Sequence, residues 1–138
     1  MIVLFGDHLP SLPGSFYAEL FGKKVDDLPI EERNRLFVTP YFIWTNYDAQ
    51  FEELGDTSAN YLGSYVLQCA GLEMPSYNQF LNAQRKVIPV LARFGMYDAD
   101  GKYYNYDDAP KEMLADYRIL QYMRIKDRNS SDYWIFEN

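Results

Sequence analysis

The sequence predicts an α/β chain: a mixed sheet with flanking helices and a C-terminal hairpin. Three observations predict it. Two short β-rich apolar runs, Ile2–Phe5 and Tyr41–Trp44, are bounded by Gly6, Pro40 and Asn46. Two stretches between Ser58 and Val87 carry apolar residues at helical spacing. The aromatic-rich segment from Phe94 to Tyr106 turns at Asp100-Gly101.

The elements follow in chain order. Ile2–Phe5 is short, apolar throughout and ended by Gly6, a pattern that predicts a strand buried on both faces. Leu9–Gly14 holds two prolines and is loop. Ser15–Leu20 predicts a short helical turn, and Asp26–Arg35 places Pro29 near a helix start. The second strand is expected over Tyr41–Thr45, with Pro40 at its start, where a missing N–H does least harm. Thr57 or Ser58 caps a helix that carries Leu62, Tyr65, Val66 and Cys69 and leaves at Gly71. A second helix spans Ser76–Val87, with Pro89 beyond its end. Asp107 or Asp108 caps a last helix from Pro110 to about Ile125. The tail, "DRNSSDYWIFEN", reads as an added strand, an ordered tail or a frayed end. About three helices are expected in all.

Composition limits the function classes. The 138 residues suit one domain, and 48% hydrophobic with 17% aromatic content argues against disorder. The 13 tyrosines and nine phenylalanines suit a dense core better than a carbohydrate- or lipid-facing surface. A net charge of −7, with Arg33 and Arg35 beside Glu31 and Glu32, excludes a basic nucleic-acid surface. A bound metal ion would still let an acidic protein take an anionic substrate. The single cysteine, Cys69, excludes an internal disulfide and reads as a small buried hydrophobe. No apolar run approaches membrane-spanning length.

The chemistry concentrates at "VLFGDHLP", Val3–Pro10. Ligands of open α/β sheets bind beyond the carboxyl ends of strands. Asp7 and His8, the latter the only histidine, stand at that end of the first strand. A carboxylate oxygen and an imidazole nitrogen suit Zn²⁺ or Mn²⁺ better than Ca²⁺. From the residues alone, a structural Asp-His turn is the favoured reading, because no second His, HExxH or CxxC accompanies the pair. Asp98 and Asp100 resemble a calcium-loop start, but Gly101 comes too early and no bidentate Glu follows. Asn46, Tyr47 and Asp48 read as a turn ending the second strand and Tyr61 and Trp44 as core, while Ser11 reads equally as a residue bonding a phosphate beside His8 or as a loop residue bonding its own backbone.

The order of motifs adds a resemblance. "VLFGDHLPSL" (Val3–Leu12), "TPYFIWTNYD" (Thr39–Asp48), "SANYLGSYVLQCAGLEMPSYNQFL" (Ser58–Leu81) and "LADYRILQY" (Leu114–Tyr122) together resemble the C-terminal part of lipoteichoic acid synthase-like sulfatases. These are membrane-anchored phosphoglycerol transferases of the alkaline phosphatase superfamily. The resemblance implies that Asp7 and His8 bind a divalent ion, Mn²⁺ foremost, with Zn²⁺ or Mg²⁺ as alternatives. It implies that a Glu and a nucleophilic Thr complete the site from positions N-terminal to residue 1. Thr39, Thr45 and Thr57 match no nucleophile motif of the family, so no catalytic residue is assigned within this chain.

It follows that residues 1–138 are expected to be the C-terminal segment of a sulfatase-like catalytic domain, inactive alone. The parent would act on a phosphatidylglycerol-like lipid or an envelope glycan at the extracellular face of a bacterial membrane. A segment parted from its N-terminal half is expected to expose apolar strand edges and faces, and so to self-associate or to be less stable than a complete domain. Two other functions compete: a sulfatase or phosphodiesterase of the same superfamily, and a non-catalytic interaction module in which Asp7-His8 is structural.

Overall fold

The computed structural model describes residues 1–52, 54–127, 129 and 132–136. Its main elements are β1 (Ile2–Phe5), α1 (Gly14–Phe21), α2 (Ile30–Asn34), β2 (Tyr41–Trp44), α3 (Ala59–Ala70), α4 (Ser76–Val87), β3 (Val90–Leu91), β4 (Met96–Tyr97), β5 (Tyr103–Tyr104) and α5 (Ala115–Lys126). The class is α/β. Among the described residues the strands form two small sheets, β1–β2 and β3–β4–β5, antiparallel throughout. Among the described residues five α-helices stand where about three were expected. The additional two, α1 and α2, are the short segments whose composition predicts only a turn and a helix start. The chain divides into two compact units, Met1–Asn46 with Ala92–Phe94, and Tyr47–Leu91 with Gly95–Asn138.

In the first unit, β1 pairs with β2 in the register Ile2–Trp44, Val3–Ile43, Leu4–Phe42 and Phe5–Tyr41. Side chains of a pleated pair alternate, so Ile2, Leu4, Phe42 and Trp44 share one face. All four are about half exposed, from 48% to 61%. This corrects the expectation of a strand buried on both faces, and of Trp44 as core. A continuous apolar run specifies a strand but not what covers it, and here the pairing makes a two-stranded ribbon. Leu28 is this unit's one buried apolar side chain among the described residues. Arg93 lies over Phe37 at 5.1 Å and the Phe94 backbone N–H donates to Asn34 Oδ1 at 3.3 Å, which ties residues 92–94 into the unit.

The second unit holds the main core. Tyr61, Leu62, Tyr65 and Cys69 are buried on α3, one turn or two apart, as the helical spacing predicts. Leu81 and Arg85, four residues apart, are the buried positions of α4. Ile88, Met96 and Leu114 form a further cluster packed by Leu91, Tyr104, Met113 and Tyr117. Asp100-Gly101 turns the β4–β5 hairpin, with Gly101 at φ 77°, where a side chain would be strained.

Two cap assignments are corrected. Ser58 does precede α3, but its side chain does not cap the helix. Its Oγ donates to the Leu91 carbonyl at 3.0 Å and accepts from the Leu91 N–H at 2.6 Å, stapling the helix start to β3. The last helix does not begin at an Asp107 or Asp108 cap. Both Asp108 and Ala109 N–H groups donate to the Asn105 carbonyl, and a 3-10 turn over Lys111–Leu114 precedes α5. Within the tail, residues 134–136 form a 3-10 turn, with Phe136 5.2 Å from Tyr77 and beneath Arg124. The rest of the tail reading, on residues 128, 130, 131, 137 and 138, lies outside the described residues. No helix among the described residues is long and apolar enough to cross a membrane.

Candidate metal-ligand pair at the end of β1

Asp7 and His8 leave β1 at a point that β2 pins in place. Gly6 N–H donates to the Pro40 carbonyl at 3.0 Å, and Thr39 Oγ1 donates to the Gly6 carbonyl at 2.7 Å. Both hydrogen bonds of Gly6 thus go to the two residues before β2. The approach is close: a Cβ on residue 6 would stand 2.9 Å from Thr39 Cβ. Glycine is required there for space. Beyond the pair, Tyr17 of α1 donates its hydroxyl to the Pro10 carbonyl at 2.9 Å and holds the following loop.

The pair itself is well exposed, with side chains 81% accessible for Asp7 and 77% for His8. Asp7 Oδ1 accepts the His8 backbone N–H at 2.9 Å, leaving Oδ2 free for another partner. His8 Nδ1 lies 2.9 Å from the Leu9 carbonyl oxygen. A carbonyl only accepts, so Nδ1 carries the proton and, in the neutral ring, Nε2 carries the lone pair. A ring N–H donated to a backbone carbonyl is the usual way a metal-binding histidine is oriented. Nε2 and Asp7 Oδ2 are 3.6 Å apart. Two ligand atoms about 2.1 Å from one ion in tetrahedral array stand about 3.4 Å apart, so donor types and spacing fit a divalent cation. With the ring protonated, the same atoms make an exposed ion pair of little energetic value.

The described residues contain no group of three or more His, Cys, Asp or Glu side chains placed to share an ion. Asp98 is committed elsewhere: its Oδ1 accepts the N–H groups of Asp100 and Lys102, and its Oδ2 accepts the Tyr104 hydroxyl. Those bonds, the Lys102 N–H foremost, hold its carboxyl below the usual carboxylate range. They build the hairpin. Tyr61 is fully buried, in agreement with a core role, and Cys69 is buried and free. Asn46 and Tyr47 form a bend after β2, and Ser11 is exposed.

Sequence reasoning missed two features. The Thr39 clamp joins residues 33 apart, and its visible trace is a Thr-Pro pair before a strand. In the second unit, Arg85 is 6% exposed and its guanidinium lies 3.2 Å from Glu52. Gln68 donates to Glu52 and Asn82 donates to Gln68 at 2.9 Å and 2.8 Å, while Arg85 also donates to Asn82. The Gln68 bond, then the Arg85 bond, draw the Glu52 carboxyl below its ordinary range. A lone arginine in an amphipathic helix carries no sign of this network.

Comparison with known proteins gives one curated relative of note. The chain is 31% identical over 128 residues to a protein of Rhizobium meliloti (strain 1021) named "Putative cyclic beta-1,2-glucan modification protein". The match covers 88% of this chain and 20% of that protein, so the chain spans about one fifth of its relative's length. No family model matches the chain. No solved structure matches it.

Proposed function

We propose that this chain is the C-terminal segment of the catalytic domain of a sulfatase-like phosphoglycerol, or phospho-headgroup, transferase that modifies an envelope glycan or polymer. The observation that carries the reading is the geometry at the end of β1. His8 is oriented by the Leu9 carbonyl, and its free Nε2 converges with Asp7 Oδ2 at 3.6 Å. The relative's name supports a glycan as the acceptor. The motif order from Val3 to Tyr122 supports the sulfatase-like frame.

Asp7 and His8 are the proposed ligands of a divalent ion, Mn²⁺ foremost, with Zn²⁺ or Mg²⁺ as alternatives. Such an ion supplies Lewis acidity and offsets charge on phosphoryl oxygens. This chain's contribution is to present the two ligands on a fixed backbone. The Gly6–Thr39 and Tyr17–Pro10 bonds set the exit angle, and the Leu9 carbonyl sets the ring tautomer. The nucleophile and the other ligands would come from the N-terminal part of the same domain, which is also the proposed partner for this segment. The proposed location is the outer face of a bacterial membrane, with a phosphatidylglycerol-like donor.

The test uses the full-length protein, headgroup-labelled phosphatidylglycerol and a β-1,2-linked glucose oligosaccharide, with Mn²⁺ present. Label should pass to the oligosaccharide. Asp7→Asn and His8→Gln should each lower the rate about a hundredfold or more, as expected for loss of a metal ligand. Sulfate release from an aryl sulfate with no labelled product would place the chain among the hydrolases of the superfamily. Full activity in both variants would make Asp7-His8 a structural turn.

A further inference from the structure

The second unit contains a cleft of about 360 Å³ that no step of the proposed transfer uses. That volume lies within the range of small-molecule sites, about 300–1,000 Å³. Its floor is aliphatic, from Leu91 of β3 and the buried Leu114. Two phenol rings, Tyr106 and Tyr117, line it, and both are half-buried. Asn60 of α3 and Arg118 and Gln121 of α5 bring polar groups to it, and all three are exposed.

This combination selects a ligand class. A ring with a hydrogen-bearing face finds the negative face of an aromatic ring favourable. Ring hydroxyls need both donors and acceptors, and a primary amide offers both. The lining contains two amides, one guanidinium and no carboxylate. Tyr117 is already oriented, because Asn60 Nδ2 donates to its hydroxyl oxygen at 3.1 Å. Its own O–H proton therefore points away from Asn60. Desolvation raises the pKa of Tyr106 and of Tyr117, so both remain neutral donors well above neutral pH. An inorganic anion would use the single guanidinium and leave the rings and amides without a role.

We propose that the cleft between α3, β3 and α5 is a saccharide subsite that takes a neutral glucosyl unit, stacked on Tyr117 or Tyr106 and hydrogen-bonded by Gln121 and Asn60. The choice of glucose rests on the glycan reading above. The site itself is independent of the Asp7-His8 pair. Its role is to hold an acceptor glycan, so it raises affinity for oligosaccharide without contributing to the chemical step.

Calorimetric titration of the full-length protein, metal removed by chelator, tests this with a short β-1,2-linked glucose oligosaccharide as the probe. Saturable binding is expected. Tyr117→Ala should weaken it about tenfold, and Gln121→Ala about threefold to tenfold, from lost stacking and lost hydrogen bonds. Circular dichroism reports whether each variant folds, and the exposed Gln121 keeps the test open should Tyr117→Ala unfold. Binding unchanged in Asp7→Asn and His8→Gln would support a site separate from the metal pair. Binding lost in those two variants and kept in Tyr117→Ala and Gln121→Ala would overturn the cleft while leaving the transferase reading intact. No saturable binding would also overturn it. So would tighter binding of glycerol phosphate than of the oligosaccharide, abolished by Arg118→Ala. Intact saccharide binding without label transfer would overturn the transferase reading alone.

Discussion

The unit made of Tyr47–Leu91 and Gly95–Asn138 encloses a core of large side chains, although Ile119, Tyr122, Ile125 and Trp134 stay exposed, whereas among the described residues the unit made of Met1–Asn46 and Ala92–Phe94 buries only Leu28 of its apolar side chains. Tyr61, Ile88 and Met96 are fully enclosed in the one. In the other, Ile2, Leu4, Phe5, Phe42 and Trp44 are all about half in solvent. The two are not distinguished by composition. They differ in what their elements are given to pack on. Helices α3 and α4 pair along faces of matching period, while β1 and β2 make a ribbon with an uncovered side. A two-stranded ribbon alone is marginal in water. The candidate ligands therefore sit on the unit with the smaller core, held by specific hydrogen bonds rather than by burial.

The largest effect expected from this contrast is in the second unit. Ile88→Ala removes an enclosed side chain from the Met96–Leu114 cluster and should cost about 2–5 kcal/mol in equilibrium unfolding. A loss under about 1 kcal/mol would mean that this core is looser than its burial implies.

Next comes the ion pair between Glu52 and Arg85 of α4. Glu52→Ala leaves the Arg85 guanidinium, 6% exposed, with Asn82 and the Tyr65 ring, 5.4 Å away, as neighbours. Removing one partner of a buried hydrogen-bonded charge costs about 1–3 kcal/mol. The acid side of the stability profile should show the same interaction. Glu52's folded pKa is depressed, so its contribution is complete above the ordinary glutamate range and fades as pH falls through the folded value. In Glu52→Gln, measured by thermal unfolding between neutral and acid pH, that part of the decline should be missing.

The smallest effect belongs to the ribbon. Leu4→Ser changes a 61% exposed side chain and should alter unfolding free energy by no more than about 0.5 kcal/mol. A loss of 1 kcal/mol or more, growing with protein concentration, would show that self-association covers this face in solution.

What could be read from the sequence follows the same division. The α3 and α4 spans, the exit at Gly71 and the Asp100-Gly101 hairpin were legible, because each depends on residues within a turn or two of one another. The placement of the candidate pair was legible to the same extent, since Asp7 and His8 are adjacent and follow a strand end. Contacts between distant residues were not legible. Ser58 looks like a cap in any window, and only β3, 33 residues on, diverts its hydroxyl. Arg85 meets Glu52 across the same separation. Pattern also fails to separate a buried strand from a bare one, which is why β1 was expected inside a covered sheet.

The Gly6–Thr39 contact makes residue 39 a hinge pin for residues 7 and 8. Thr39 is hydrogen-bonded to neither Asp7 nor His8 among the described residues, yet its hydroxyl fixes the Gly6 carbonyl from which both residues leave the ribbon. Substitution there would act as a change of aim, with both candidate ligands kept and their direction from the ribbon altered.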